Sequence, residues 1–335
     1  MKILLYTENK DLIGKSGLGK AIEHQEQALK ENNIEYTFDL NDDYDIIHIN
    51  FYGPRSYFLA KQAKANGKKV VYHAHSTEED FRNSFILSNL ISPIFKRWII
   101  DCYSLGDIIV TPTPYSKHLL EGYGIENKIV AISNGIDTKL YKNDLKKRKK
   151  FRDKYGYNEN DKVIMGIGLY IERKGVIDFV ELAKKMPDYK FIWFGYSSLV
   201  TVPQNVREAV RTELPNLKFA GYVEKEVIAE AYNGADLYIN MTYEETEGMT
   251  MLEACSSKIP TLIRDIPVFE GWLYDKVNTY MANNIEEFKD LAIKIFSGEL
   301  PNLTEEAYKV ARDRDLKVVG KQLIAVYKEL LDKEK

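Results

Sequence analysis

Short runs of aliphatic, β-branched and aromatic residues recur along the chain. Between them lie longer stretches whose apolar positions return every three or four residues. The runs predict strands at 2–6, 46–50, 69–73, 108–111 and 128–132, then again at 163–166, 189–194, 217–219, 237–239 and 261–263. Strands that are apolar throughout, alternating with amphipathic helices, describe parallel sheets covered on both faces. The plan occurs twice, so two doubly wound α/β domains are predicted, with ligands at the carboxyl ends of the strands. The break falls within residues 140–160, giving domains 1–150 and 151–335. The final helix, 318–331, carries an apolar stripe of Leu323, Val326, Tyr327, Leu330 and Leu331, and is expected to pack back toward the first domain.

Composition narrows this picture without changing it. A chain of 335 residues suits two domains, and a 44% hydrophobic and 29% charged make-up is that of a globular protein. Cys102 and Cys255 are far apart and form no redox or metal motif, which together with the lack of a leader-like start points to the reducing cytosol. The net charge of −3 divides into +3 for residues 1–160 and −6 for the remainder. No nucleic-acid partner is expected, and the first half is the one suited to an anionic surface. The most apolar stretch, residues 84–100, is interrupted by Pro93, Lys96 and Arg97. It reads either as packed helices or as a helix lying on a membrane surface. The basic run from Lys142 through Lys154 reads as a solvated linker or helix face, or as an anionic-lipid contact.

The chemistry concentrates in residues 241–263, where Glu245 and Glu253 flank Gly248 and a helix is predicted to begin near Met249 and Thr250. A helix start behind a glycine offers free amides and the positive end of a dipole, which suits a sugar diphosphate. Glu245, just before the helix, can accept hydrogen bonds from hexose hydroxyls, and Glu253, one turn in, can reach a ribose diol. Residues 168–175, GLYIERKG, place Arg173 and Lys174 after a strand, either as phosphate-clamping cations or as a solvent-facing pair. His75, with His73 two residues earlier on the same side of a strand, is a candidate sugar contact or a structural histidine, as is His48. Asp43 and Asp45 resemble a metal-binding pair but are read as solvated.

The segment from Glu245 to Ala254 resembles the acidic motif of the retaining glycosyltransferases of family 4, departing from it at Thr246 and Glu247, and again at Ser257 beyond it. Further segments resemble that family in the same order: SGLGKAIEHQEQAL at 16–29, DIIHIN at 45–50, SNGID at 133–137, FAGYV at 219–223 and YNGADLYIN at 232–240. The resemblance implies the GT-B architecture, two doubly wound domains facing a central cleft, and transfer of a hexose from a UDP-sugar with retention and without a metal. It implies that Lys174, with Arg173 in place of the family arginine, clamps the diphosphate, and that His75 and Glu245 act on the transferred sugar. Gly17 and Gly19 would let backbone approach the ligand, and Gly221, Tyr222 and Val223 would meet the nucleotide base. Within the family the chain is most similar to bacterial diglycosyl diacylglycerol synthases, which implies a monoglucosyl diacylglycerol acceptor and a peripheral place on the inner face of the cell membrane. A soluble or polysaccharide-precursor acceptor, and a sugar-nucleotide epimerase, stand as alternatives.

Overall fold

The computed structural model describes residues 1–8 and 17–332; Ser16, at the start of the first glycine-rich segment, lies outside them. The chain divides into two units.

The first unit takes the described residues of 1–81, 90–136 and 314–332. Its sheet has six parallel strands, β1 (Lys2–Tyr6), β2 (Glu35–Thr37), β3 (Ile46–Ile49), β4 (Lys69–His73), β5 (Ile108–Thr111) and β6 (Lys128–Ala131), in the order β2-β1-β3-β4-β5-β6. Alternate side chains serve opposite faces, as the pleat requires. Leu4, Ile47, Ile49 and Tyr72 join a core with Ile99 and Cys102 of helix Ser88–Tyr103. Ile3, Leu5, Val71, Ile108 and Val110 face Leu29, Val319, Leu323, Val326, Tyr327 and Leu330. The last five belong to helix Leu316–Asp332, whose apolar stripe closes that face. Each such side chain is worth roughly 1.5–3 kcal/mol when buried, so this helix is an integral part of the unit. The chain enters it beside the SNGID turn, where Ile136 and Asp315 form an isolated bridge and the carbonyl of Gly135 lies 2.9 Å from Nδ1 of His24.

The second unit takes residues 82–89 and 137–313. Its strands are β7 (Val163–Ile167), β8 (Lys190–Phe194), β9 (Leu217–Gly221), β10 (Leu237–Asn240), β11 (Thr261–Arg264) and β12 (Tyr280–Ala282), all parallel, in the order β12-β11-β10-β7-β8-β9. Succession runs outward from β7 to β9, then restarts on the other side of β7 with β10, so the topological switch point lies between β7 and β10.

The units divide at Ile136, ahead of the expected boundary at 150, because the basic run is a packed helix of the second unit. Within helix Leu145–Tyr155, Arg152 is fully buried, with Nη2 2.7 Å from Asp236 Oδ2; Arg148 Nη2 lies 3.0 Å from the other oxygen of the same carboxylate. Lys150 pairs with Glu230 at 2.5 Å. These cations hold the helix to its own unit.

Candidate active site

Strands β7 and β10 lie side by side at the switch point, so the loops that follow them are neighbours. The β7 loop ends in a single tight turn, Glu172–Lys174, closed by Gly175 in the left-handed region at φ +75°. A Cβ on Gly175 would stand 2.3 Å from the carbonyl oxygen of Met241, at the end of β10. Glycine is therefore needed twice here, for its φ and for the close approach. Hydrogen bonds stitch the loops together: the Arg173 carbonyl accepts from the Tyr243 amide at 2.8 Å and from the Thr242 hydroxyl at 3.1 Å.

The stitching brings Arg173, Lys174 and Glu245 together. Lys174 Nζ donates to Glu245 Oε1. Arg173 Nη1 is 4.0 Å from Glu245 Oε2; it donates to the Glu244 carbonyl at 2.7 Å, while Nε donates to Ser84 Oγ at 3.1 Å. Arg173 is 8% exposed and Glu245 7%, so a solvent-facing cation pair is not what the sequence encodes. Burial by itself would raise the carboxyl pKa of Glu245. The Lys174 and Arg173 charges, with hydrogen bonds from Lys174 and Thr242, outweigh it and hold the group below its ordinary range.

Gly248 caps helix Met249–Ser257 from the left-handed region, at φ 82°, with no side chain bonded to the helix start. Its first-turn amides at Met249 and Thr250 are thus not taken by a side-chain cap. Glu253 lies on the inner side of that helix at 0% exposure and accepts from the Tyr232 hydroxyl at 3.1 Å. Gly221 ends β9 at φ +70° with open space beside it; Tyr222 is exposed and Val223 half-buried. Asp178, Tyr243 and Arg264 form a brace that the sequence did not announce. Arg264 and Tyr243 reach the same Asp178 oxygen at 2.5 and 2.6 Å, and the guanidinium lies 3.9 Å from the Tyr243 ring centre. Only an arginine ending an otherwise apolar strand hinted at it.

In the first unit, β3 and β4 carry three histidines to their carboxyl ends. His73 and His75 stack with ring centres 3.9 Å apart, and His48 Nε2 is 3.2 Å from His73 Nδ1. Desolvation lowers all three pKa values, those of His48 and His75 to about 3, so the rings are neutral at physiological pH. Gln25, Asn50 and Tyr327 complete the cluster, unnoticed in the sequence because they come from three separate elements. Gly17 and Gly19 form the first turn of helix Gly17–Glu31; a Cβ on Gly17 would meet nothing, and Gly19 is buried. Asp43 pairs with Lys68 at 3.0 Å, and Asp45 accepts from the Lys2 amide at 2.8 Å.

Comparison with known proteins gives this geometry its relatives. Residues 28–140 match the family described as Glycosyltransferase Family 4, and residues 147–314 match Glycosyl transferases group 1. The processive diacylglycerol alpha-glucosyltransferase of Acholeplasma laidlawii is 38% identical over 99% of both chains. The chain belongs to the family 4 glycosyltransferases. The alpha-galactosylglucosyldiacylglycerol synthase of Streptococcus pneumoniae is 25% identical to this glycosyltransferase, over 90% of its length and 81% of the relative's. Its GT-B fold matches the crystal structure of Anabaena HepE in complex with UDP and glucose, with a TM-score of 0.76 at 15% identity over 98% of this chain and 99% of that one. Where the transferase departs from the family motif, two of the three substituted residues are taken inside, and Thr246 is half-buried. Glu247 is buried, and so is Ser257, whose hydroxyl donates to the Tyr141 carbonyl at 3.2 Å.

Proposed function

We propose that this glycosyltransferase moves a hexose, glucose or galactose, from its UDP-sugar to a monoglucosyl diacylglycerol, with retention and without a metal. The observation that carries the proposal is the full-length relationship to a processive diacylglycerol alpha-glucosyltransferase, a name that itself implies acceptors already bearing sugar. An α-linked product made from an α-linked UDP-sugar is retention.

The geometry supports the chemistry. When the bond between sugar and diphosphate opens, negative charge grows on the leaving group, and preorganised cations lower the barrier most. Lys174, paired with Glu245, and Arg173, fixed by Ser84 and the Glu244 carbonyl, are assigned that task. The uncapped helix start at Gly248, Met249 and Thr250 adds amides to the same end. Glu245 is assigned to the hexose hydroxyls, Glu253 to the ribose, Gly221, Tyr222 and Val223 to the base, and His75 to the transferred sugar. Gly17 and Gly19 are assigned to close backbone approach.

Among the described residues no helix is long and apolar enough to cross a membrane. A surface route to lipid is supported by helix Ser88–Tyr103, where Leu90 and Ile94 are each 74% exposed and Lys96 and Arg97 follow. Phe85, Ile86 and Leu87, just before it in the chain, are also exposed. We assign this segment to peripheral association with an anionic membrane, on its cytoplasmic face.

The test is transfer from radiolabelled UDP-glucose and UDP-galactose to monoglucosyl diacylglycerol in anionic vesicles, with chelator present. An α-linked diglycosyl lipid from either donor is expected and would name the sugar. UDP release with water-soluble acceptors but no lipid product would overturn the acceptor, and activity abolished by chelator would overturn metal independence.

A further inference from the structure

The histidine cluster of the first unit contains a chain of hydrogen bonds that fixes which nitrogen of His75 carries the proton. We propose that Asn50, oriented by Gln25, is a positioning residue that holds His75 as the Nε2–H tautomer and leaves Nδ1 free to accept a hydrogen bond. The proposal deepens the reading above, resting on the assignment of His75 to the transferred sugar.

Gln25 sits on helix Gly17–Glu31, with its Nε2 2.9 Å from the ring nitrogens of His48. Gln25 Oε1 accepts from Asn50 Nδ2 at 2.8 Å. Asn50 is thereby oriented in turn. Its NH2 group faces Gln25 and its Oδ1 faces His75 Nε2 at 3.1 Å. A carbonyl oxygen only accepts, so His75 must donate from Nε2. In a neutral imidazole the second nitrogen is then an acceptor. The His73 ring, parallel to within 13°, restrains the imidazole face to face. Asn50 and Gln25 are both buried, so water does not compete for the bond between them.

The consequence concerns hydrogen-bond direction. His75 takes a hydrogen bond from a sugar hydroxyl at Nδ1 rather than giving one. With the opposite tautomer the ring would present a donor where an acceptor is needed, and wrong-tautomer histidines are known to cost enzymes several orders of magnitude.

The test combines a spectroscopic and a kinetic readout on the full chain. With 15N-labelled histidine, long-range proton–nitrogen spectra distinguish the two tautomers, and the His75→Gln variant identifies the His75 signals among the five histidines. We expect a single Nε2–H form in the parent between pH 6 and 8. Asn50→Ala should mix the tautomers and lower kcat by roughly tenfold or more, with KM for the UDP-hexose little changed. Asn50→Asp keeps the acceptor that faces His75 but loses the donor that faces Gln25 Oε1, so Nε2 of His75 should stay protonated while the rate falls. A parent His75 protonated on Nδ1, or an Asn50→Ala variant with an unchanged tautomer, overturns the proposal. A mixed tautomer with full transfer activity, and full activity in His75→Gln, would overturn the role given to His75 while upholding the hold of Asn50 on its ring.

Discussion

Glu245 is a buried carboxylate whose ionisation is favoured most by Lys174, with Arg173 and the Thr242 hydroxyl beside it. In the parent, the folded pKa of Glu245 lies below its unfolded value. Its stabilising contribution is therefore complete above the unfolded pKa, about 4.3, and fades only as pH falls through the folded one. In Lys174→Met, with only Arg173 and the Thr242 hydroxyl left to oppose burial, the folded pKa is expected to rise past the unfolded one, which reverses the sign. Thermal melts from pH 5 to 8 should show the variant losing ground to the parent as pH rises, and kcat should drop by roughly 10²–10³. His48 responds to pH in the same direction as Glu245 in the parent, but nearer neutrality. Held neutral with a pKa lowered to about 3, it favours the folded state above its unfolded value of about 6.5 and loses that contribution as pH falls between the two. Acid should cost the first unit about 1.4 kcal/mol per pH unit for each such ring below pH 6, and His48→Gln should flatten a plot of Tm against pH. Lys174 and Glu245 were legible in the sequence because each sits at a strand end within a spaced motif. Gln25 and Asn50 were not, since an amide says nothing of its partner until the helix and two strands meet.

Among elements, the turn after β7 is the least forgiving. Gly175→Ala adds a methyl group 2.3 Å from a carbonyl oxygen at a positive φ, and a strain of about 2 kcal/mol or more is expected. For units of this size that corresponds to a fall in Tm of roughly 4–8 °C, measurable by calorimetry. Because Arg173 and Lys174 ride on this turn, activity should fall further than stability. The apolar side of helix Ser88–Tyr103 makes the contrasting case. Leu90→Glu with Ile94→Glu removes two exposed side chains, so the fold should hold while sedimentation with anionic vesicles falls at least tenfold. Unchanged vesicle binding would take the membrane role from this helix. The long strands were readable because both of their faces are buried, which leaves continuous apolar runs. β2 and β12 escaped notice because each has only three residues and lies at the edge of its sheet. The basic run is a solvated helix face for most of its lysines, but the buried Arg152 could not be read from it, because Asp236, the acid that meets it, lies far along the chain.

At the scale of the molecule, the two sheets have unlike strand orders, and each reverses once. Both switch points, between β7 and β10 and between β1 and β3, needed the topology. The first unit draws its stability from both ends of the described chain. Leu323→Ala, in helix Leu316–Asp332, should cost about 2–5 kcal/mol in denaturant unfolding, as expected for a side chain embedded in a core. That helix also dictates an order of events during synthesis. Ile3, Leu5, Val71, Ile108 and Val110 leave the ribosome early, yet the helix that covers them emerges only after residues 137–313 have been translated. Until then the nascent protein carries a greasy half-finished sheet, the sort of surface that chaperones clasp and that aggregates when left unattended. A ribosome stalled inside the second unit would therefore release a sticky product rather than a functional half, and cells making this enzyme have reason to destroy it quickly.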